Sequence, residues 1–351
     1  MRGVTPRRFW RAAEAAGGWN ALIGANPDLM TEIFRSREAA VAVTRPFEID
    51  VTPELAAAER AGAAILTPFE GPYPRLLREI PDPPLALYAR GNLDRLDLPS
   101  VAIVGARAAT AYGRSVAARL AADLSAAGVC VVSGMARGID AAAHTAALSG
   151  PGGTIAVLGC GVDVVYPSEN RTLWSRIEPN GVLLTEYAPG ERPRSEYFPV
   201  RNRIIAGMSA GAVVVEAAQR SGSLITARFA ADFGRDVFAV PGSILSAGSR
   251  GCHALLRDGA ILCGGAEDIL SELFPAIGTP AAARDAEVLS GEAARVRDRM
   301  LEEEACSPDD LAEDLDLPVA RLLTLLFDLE SRGRVRALPG GLYSAVRDGG
   351  T

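Results

Sequence analysis

From Val101 onward the chain repeats one unit: a short, unbroken apolar run bounded by glycine, then a stretch of helical length. The runs are VAIVG, VCVVSG, TIAVLG, VLLTEY, AVVVEA, DVFAVPG and AILCGG. Helical segments are expected over Tyr112 to Ala127, Asp140 to Leu148, after Pro167, from Ser223 to Phe233, around His253 to Arg257 and from Glu267. An apolar run without alternation belongs to a strand buried on both faces. Strands of that kind alternating with helices predict an α/β fold with a doubly wound, mainly parallel, Rossmann-like sheet. Ligands of such sheets bind beyond the carboxyl ends of the strands, near the point where strand order reverses.

The flanks read differently. Thr5 to about Arg60 is helical and Ala-rich, broken at Gly17-Gly18 and Asn26-Pro27. AAILTPFE reads as a strand, and GPYPRLLREIPDPPLALYARGN carries too many prolines to be one regular element. PAIGTPAAA, from Pro275 to Ala283, reads as a linker. Beyond it come a helix over Glu292 to Glu304, a second opened by the Ser307-Pro308 pair, a third from Pro318 to about Ser331, and a hairpin turning at Pro339-Gly340-Gly341. Three helices and a hairpin of this size resemble a winged helix.

All 36 basic residues are arginines, which excludes a Schiff-base lysine and the lysine of a P-loop. The five cysteines are scattered, with neither a C-x-x-C pair nor a histidine at ligand spacing, so no metal site is expected. No apolar run is long enough to span a membrane and the first residues lack a signal-peptide core, so a cytoplasmic protein with no membrane partner is expected. The net charge of −7 is unevenly spread. Residues 281–351 hold 9 arginines against 15 acids, net −6, leaving the first 280 residues with 27 against 28, net −1. A near-neutral body still has room for a basic patch suited to phosphate.

Most strand ends carry candidate anion-binding residues. After the first come Gly105, Ala106 and Arg107, with Tyr112, Gly113 and Arg114 at the helix start. After the second, SGMARGIDAAAH offers Ser133, Gly134, Arg137 and the capping Asp140. The third ends in GCGVDVVYPSEN, with Tyr166, Ser168 and Asn170, and the fourth leads into FPVRNR, with Phe198, Arg201, Asn202 and Arg203. Then come Glu216 and the Ser221-Gly222-Ser223 turn. Glycines admit backbone N–H groups to an anion, helix starts supply a favourable dipole, and arginines add forked donors. Phe198 and Pro199 beside two guanidiniums suit a stacked base next to a phosphate. The alternative is structural: a core Phe198 and arginines paired with Glu191 or Glu196. His144 lies four residues after Asp140 on one helix face, where a local Asp-His contact accounts for it.

In this order the motifs YARGN, VAIVGAR, SGMARGIDAAAH, AVLGCGVDVVYPSEN, LLTEYAPG, FPVRNRIIAG, SGSLITA, GRDVFAVPG and GCHALLRDGA resemble the DprA/Smf family of DNA-processing proteins. The resemblance covers about Leu66 to Phe274. It implies an extended Rossmann-like domain over 63–275, a small helical, SAM-like domain over 1–62, a linker over 276–286 and a winged-helix-like domain over 287–347. It also implies a non-enzymatic, cofactor-free binder of single-stranded DNA that protects incoming strands in natural transformation, loads RecA and dimerises through the Rossmann-like domain. The family's Gly-Ser-Arg turn matches Gly105, Ala106 and Arg107, with Arg201 and Arg203 as further contacts. Ala106 replaces the usual serine, leaving only its backbone N–H, and Ser168 stands where many relatives carry Lys or Arg.

The competing reading is a nucleotide- or nucleoside-phosphate-processing enzyme of the lysine-decarboxylase-like Rossmann type, with Glu216 or Asp140 as acid or base. PGGT at Pro151 to Thr154 lacks the second Gly-Thr and the glutamate of that family's motif. The third C-terminal helix offers Arg321 alone among leucines, phenylalanine and acids, so a protein-binding or regulatory role is expected there rather than DNA contact.

Overall fold

The structure is a computed structural model that describes residues 3–69, 71–277, 291–301, 305–331, 335–338 and 341–345. It divides into two units, Met1–Pro280 and Ala281–Thr351. The expected linker, 276–286, lies outside the described residues apart from positions 276 and 277.

The first unit opens with helices α1 (Pro6–Ala16), α2 (Pro27–Phe34), α3 (Arg37–Thr44) and α4 (Thr52–Arg60). Local chemistry sets their ends: Thr5, Asn26 and Ser36 each accept a backbone N–H of the adjoining first turn, and Gly17 closes α1 at φ 84°. Phe34, Leu22 and Ala12 form their small core. Trp10 donates its indole N–H to Pro83 O at 2.8 Å, and Phe69 packs on Trp19 with ring centres 4.3 Å apart, which ties this part of the chain to the segment that leads into the sheet.

That sheet has nine strands: β1 (Ala64–Leu66), β2 (Leu87–Gly91), β3 (Ser100–Val104), β4 (Cys130–Ser133), β5 (Thr154–Val157), β6 (Val182–Thr185), β7 (Gly211–Val214), β8 (Asp236–Ala239) and β9 (Ile261–Leu262). The spatial order is β1-β2-β6-β5-β4-β3-β7-β8-β9, parallel from β6 to β9 and antiparallel only where β1 and β2 join. Helices α5 (Arg75–Arg78), α6 (Ala111–Ala126), α7 (Ile139–Ala147), α8 (Arg171–Asn180), α9 (Tyr197–Gly207), α10 (Ser223–Asp232), α11 (Arg250–Arg257) and α12 (Ala266–Leu273) lie between and after the strands. This is the doubly wound fold that the apolar runs predict.

Val101 and Ile103 pack with Leu120, Leu124 and Ile139 on one face of β3. Ala102 and Val104 face the other, with Ile204 and Ala227. Burial on both faces explains the absence of alternation in the sequence. β3 lies between β4 and β7, and the chain winds outward from it in both directions, so the strand order reverses at β3/β7. That is where a crevice forms in such sheets.

The second unit holds helices Glu292–Leu301, Pro308–Leu315 and Val319–Ser331 and an antiparallel pair, β10 (Val335–Leu338) and β11 (Leu342–Ala345). Cys306 bridges to Tyr343, adding a third short strand contact. Met300, Leu311, Leu322, Leu326 and Val335 form its core. Along Val319–Ser331 the outer face leaves Val319, Leu323 and Phe327 exposed, and Arg321 is paired with Glu292 at 2.9 Å.

Candidate nucleic-acid interface

A cavity of about 560 Å³ opens at the β3/β7 reversal. Gly105, Ala106 and Arg107 line it from the end of β3, Phe198, Arg201 and Asn202 from α9, and Ser221, Gly222 and Ser223 from the start of α10. Tyr166 closes a side of it. These nine residues and Tyr166 come from four separate chain segments. Gly134 and Arg137 line a smaller recess beside it, shared with Arg107, Tyr166 and Phe198.

At the rim, the Arg107 side chain is exposed and its guanidinium sits 5.4 Å from the centre of the Phe198 ring. Among the described residues no carboxylate pairs with it. Tyr166 lies 5.4 Å from Phe198, tilted by 36°, so the two rings and the guanidinium make one mixed aromatic and cationic surface. Across the cavity, the N-cap of α10 is Gly222, and the first-turn N–H groups are taken up within the turn: Ser223 N donates to Ser221 Oγ at 3.4 Å, Leu224 N to Ser221 O at 3.2 Å and Ile225 N to Gly222 O at 3.1 Å. Asn202 donates to Gly222 O at 3.3 Å and holds that turn against α9.

Arg201 and Arg203 do not lie at the rim as expected. Arg201 is 3% exposed, donates to Gly134 O at 2.8 Å and to Val157 O, and so ties together the ends of β4 and β5. Burial lowers its guanidinium to about 10, with Asp140 opposing. It therefore remains cationic at neutral pH and forms the cavity floor. Arg203 is 4% exposed, ion-paired with Glu186 and bonded to Asp82 O at 3.1 Å, rather than to Glu191 or Glu196. It faces away from the cavity lining.

The turn after β4 also departs from expectation. Its N–H groups look like an anion cradle, but Gly134 N and Ala136 N donate to Asp140 Oδ2 at 3.1 and 3.3 Å, and Met135 N donates to His144 Nε2 at 3.2 Å. Thr154 Oγ1 donates to Val131 O, so it accepts from His144 Nδ1–H at 2.7 Å, which sets the neutral tautomer. Burial pushes His144 down to about 3 and, as the larger effect at Asp140, pushes that carboxyl up against Arg201 and the backbone donors. The two side chains thus meet the same turn rather than each other. A Cβ on Gly134 would stand 2.7 Å from the Arg201 guanidinium, which is why glycine is needed there.

Glu216 is committed in the same manner. Its Oε2 accepts from Thr110 N and Thr110 Oγ1 at 3.0 and 3.1 Å, and its backbone O takes the Ala106 N–H at 2.7 Å. The Ala106 N–H left over from the missing serine is therefore not free. Arg114 is exposed and bonded to Ala109 O at 2.5 Å, Arg137 pairs with Glu169 at 3.2 Å, and Ser168 reaches only the neighbouring Glu169. Asn170 donates to Met135 O at 2.8 Å and braces the β4 turn from outside. Arg194, which lines the cavity beside Pro193 and Ser195, escaped the sequence reading; its nearness to FPVRNR was the available signal. It pairs with Glu191 at 2.9 Å.

The family model for DNA recombination-mediator protein A matches residues 64–274, and that for the DprA winged helix domain matches 280–341. The chain is 50% identical over 200 residues to the DNA processing protein DprA of Streptococcus pneumoniae, covering 57% of this chain and 71% of that one. It is 42% identical over 300 residues to a putative DNA processing protein DprA of Mycobacterium tuberculosis, covering 80% and 77%. The solved DprA from Streptococcus pneumoniae superposes with a TM-score of 0.67 at 40% identity, covering 76% of this chain and 93% of that one. DNA processing protein A from Helicobacter pylori, whose structure concerns its single-stranded DNA binding mode, superposes at 0.56 with 31% identity, covering 61% and 96%.

Proposed function

This chain belongs to the DNA recombination-mediator protein A family, and from that premise we propose that its strand-end crevice holds single-stranded DNA. One observation carries the reading: an exposed, acid-free Arg107 over the Phe198 ring, with Tyr166 beside that ring, at the crevice rim. Arg107 takes a phosphate, and the aromatic pair takes a base. Arg201 lends charge from the floor without touching the strand.

The protein acts as a binder and not an enzyme. Asp140 and His144, groups suited to acid or base work, are spent on backbone donors, and Glu216 commits Oε2 to Thr110. Protection of incoming strands in natural transformation and delivery of the bound strand to RecA are the finer part of the proposal, as is a homodimer through the Rossmann-like domain. The half-exposed Leu262 on the edge strand β9 supports the dimer. The acidic C-terminal unit, with Arg321 paired and Phe327 exposed, serves protein contact rather than DNA.

Fluorescence anisotropy with labelled oligo-dT tests the reading. Wild type binds at low salt, Arg107→Ala binds about tenfold more weakly, and nucleoside monophosphates are not turned over. Absence of binding at low salt, or turnover, overturns it.

A further inference from the structure

A second cavity, of about 640 Å³, opens over the ends of β7 and β8. It shares the β3–α6 turn with the crevice: Arg107 lines the first, Thr110 and Tyr112 the second. A strand leaving the crevice along this turn meets it next.

Its walls combine stacking surface with a small set of polar atoms. The Tyr112 ring is 56% exposed, and its hydroxyl donates to Pro241 O at 3.2 Å, which fixes the ring at the cavity mouth. Val215 and Pro241 add apolar surface. Ile244 and Leu245, 83% and 90% exposed, stand on the loop that forms the far lip. Glu216 uses Oε2 on Thr110, while Oε1 accepts from none of the described residues. Ser243 Oγ accepts from Leu245 N and Ser246 Oγ from Gly248 N, both at 3.2 Å, so each hydroxyl keeps its proton to donate.

A carboxylate oxygen repels phosphate, so this cavity is no second backbone site. An acceptor beside hydroxyl donors, under an aromatic ring, matches the pairing edge of a base, which shows an N–H next to an acceptor. Thymine N3–H with O4, guanine N1–H with O6, adenine N6–H with N1 and cytosine N4–H with N3 all have that edge, so the cavity suits a base without selecting its identity. We propose that the Tyr112–Glu216–Ser243 cavity takes one base of the single strand whose backbone crosses the crevice. The inference rests on the reading of the crevice as a single-strand site.

The test compares wild type with Tyr112→Ala, whose exposed side chain lies outside the core, on oligo-dT and oligo-dA of about 4 and about 12 nucleotides. A thermal melt confirms that the variant is folded. The loss of one stacked base is expected to weaken the longer oligo-dT and oligo-dA roughly tenfold and to leave both shorter ligands unchanged. Equal weakening at both lengths, or none at either, overturns the proposal. If Arg107→Ala weakens the short ligand while Tyr112→Ala changes nothing, the base cavity fails and the crevice stands. If wild type binds none of them, both fall.

Discussion

Two turns at one sheet edge carry nearly the same ingredients and end in opposite states. The turn after β4 has glycines, backbone N–H groups and a helix start, and it is filled by the protein's own Asp140 and His144. The β3/α10 side of the crevice has glycines, a helix start and Arg107, and its cation stays open. The difference lies in who supplies the partner. Where the next helix supplies an acid, as α7 supplies Asp140 to Gly134 N, the cradle closes on itself and becomes a strut; Arg107 meets no carboxylate among the described residues, so its guanidinium stays available for a phosphate.

The strongest way to break this comparison is to open the closed turn. Arg201→Met leaves Gly134 O and Val157 O without their donor and Asp140 without its compensating charge. A loss of about 3–5 kcal/mol in stability is expected by urea denaturation. An unchanged midpoint would show that the guanidinium is not a strut. Acid titration attacks the same turn through His144. Its folded pKa, about 3, lies below the ordinary 6.5, so the unfolded chain takes up the proton first. The contribution is complete above pH 6.5 and falls away at about 1.4 kcal/mol per pH unit as pH drops toward 3. At pH 5 that amounts to about 2 kcal/mol. His144→Gln should lack this share of the pH dependence, and equal slopes for both proteins would contradict it.

The open side answers to smaller perturbations. Arg107→Ala should leave the melting midpoint in place and cost about 1.4 kcal/mol in oligo-dT affinity, a factor of ten. Smallest of all, Arg321→Ala in the C-terminal unit removes a surface ion pair with Glu292. It should change stability by less than about 0.5 kcal/mol and leave oligonucleotide affinity unaltered, which separates loss of a phosphate contact from loss of any arginine.

The sheet was legible because runs such as VAIVG and TIAVLG have no polar alternation, and only burial on both faces permits that. β2 was not, since Leu87–Gly91 is hidden behind prolines and pairs antiparallel. Gathering Gly105, Arg107, Phe198 and Gly222 at one crevice followed from strand-end position alone. The fates of individual arginines did not. Arg201 shares a helix face with Ile204 and Ile205, an i, i+3, i+4 stripe that signals burial, yet in FPVRNR it reads like Arg203 and like a rim residue. Self-filling of the β4 turn was illegible for a different reason: SGMARGID has the same composition whether its N–H groups meet a ligand or Asp140.

Arg107 is the open cation of the crevice, and the proposed function has it meet a phosphate of single-stranded DNA. The logarithm of the oligo-dT binding constant against the logarithm of salt concentration measures this directly. Wild type should give a steep negative slope, and Arg107→Ala a slope shallower by about 0.7, the counterion share of one phosphate contact on a single strand. Identical slopes in the two proteins would contradict it.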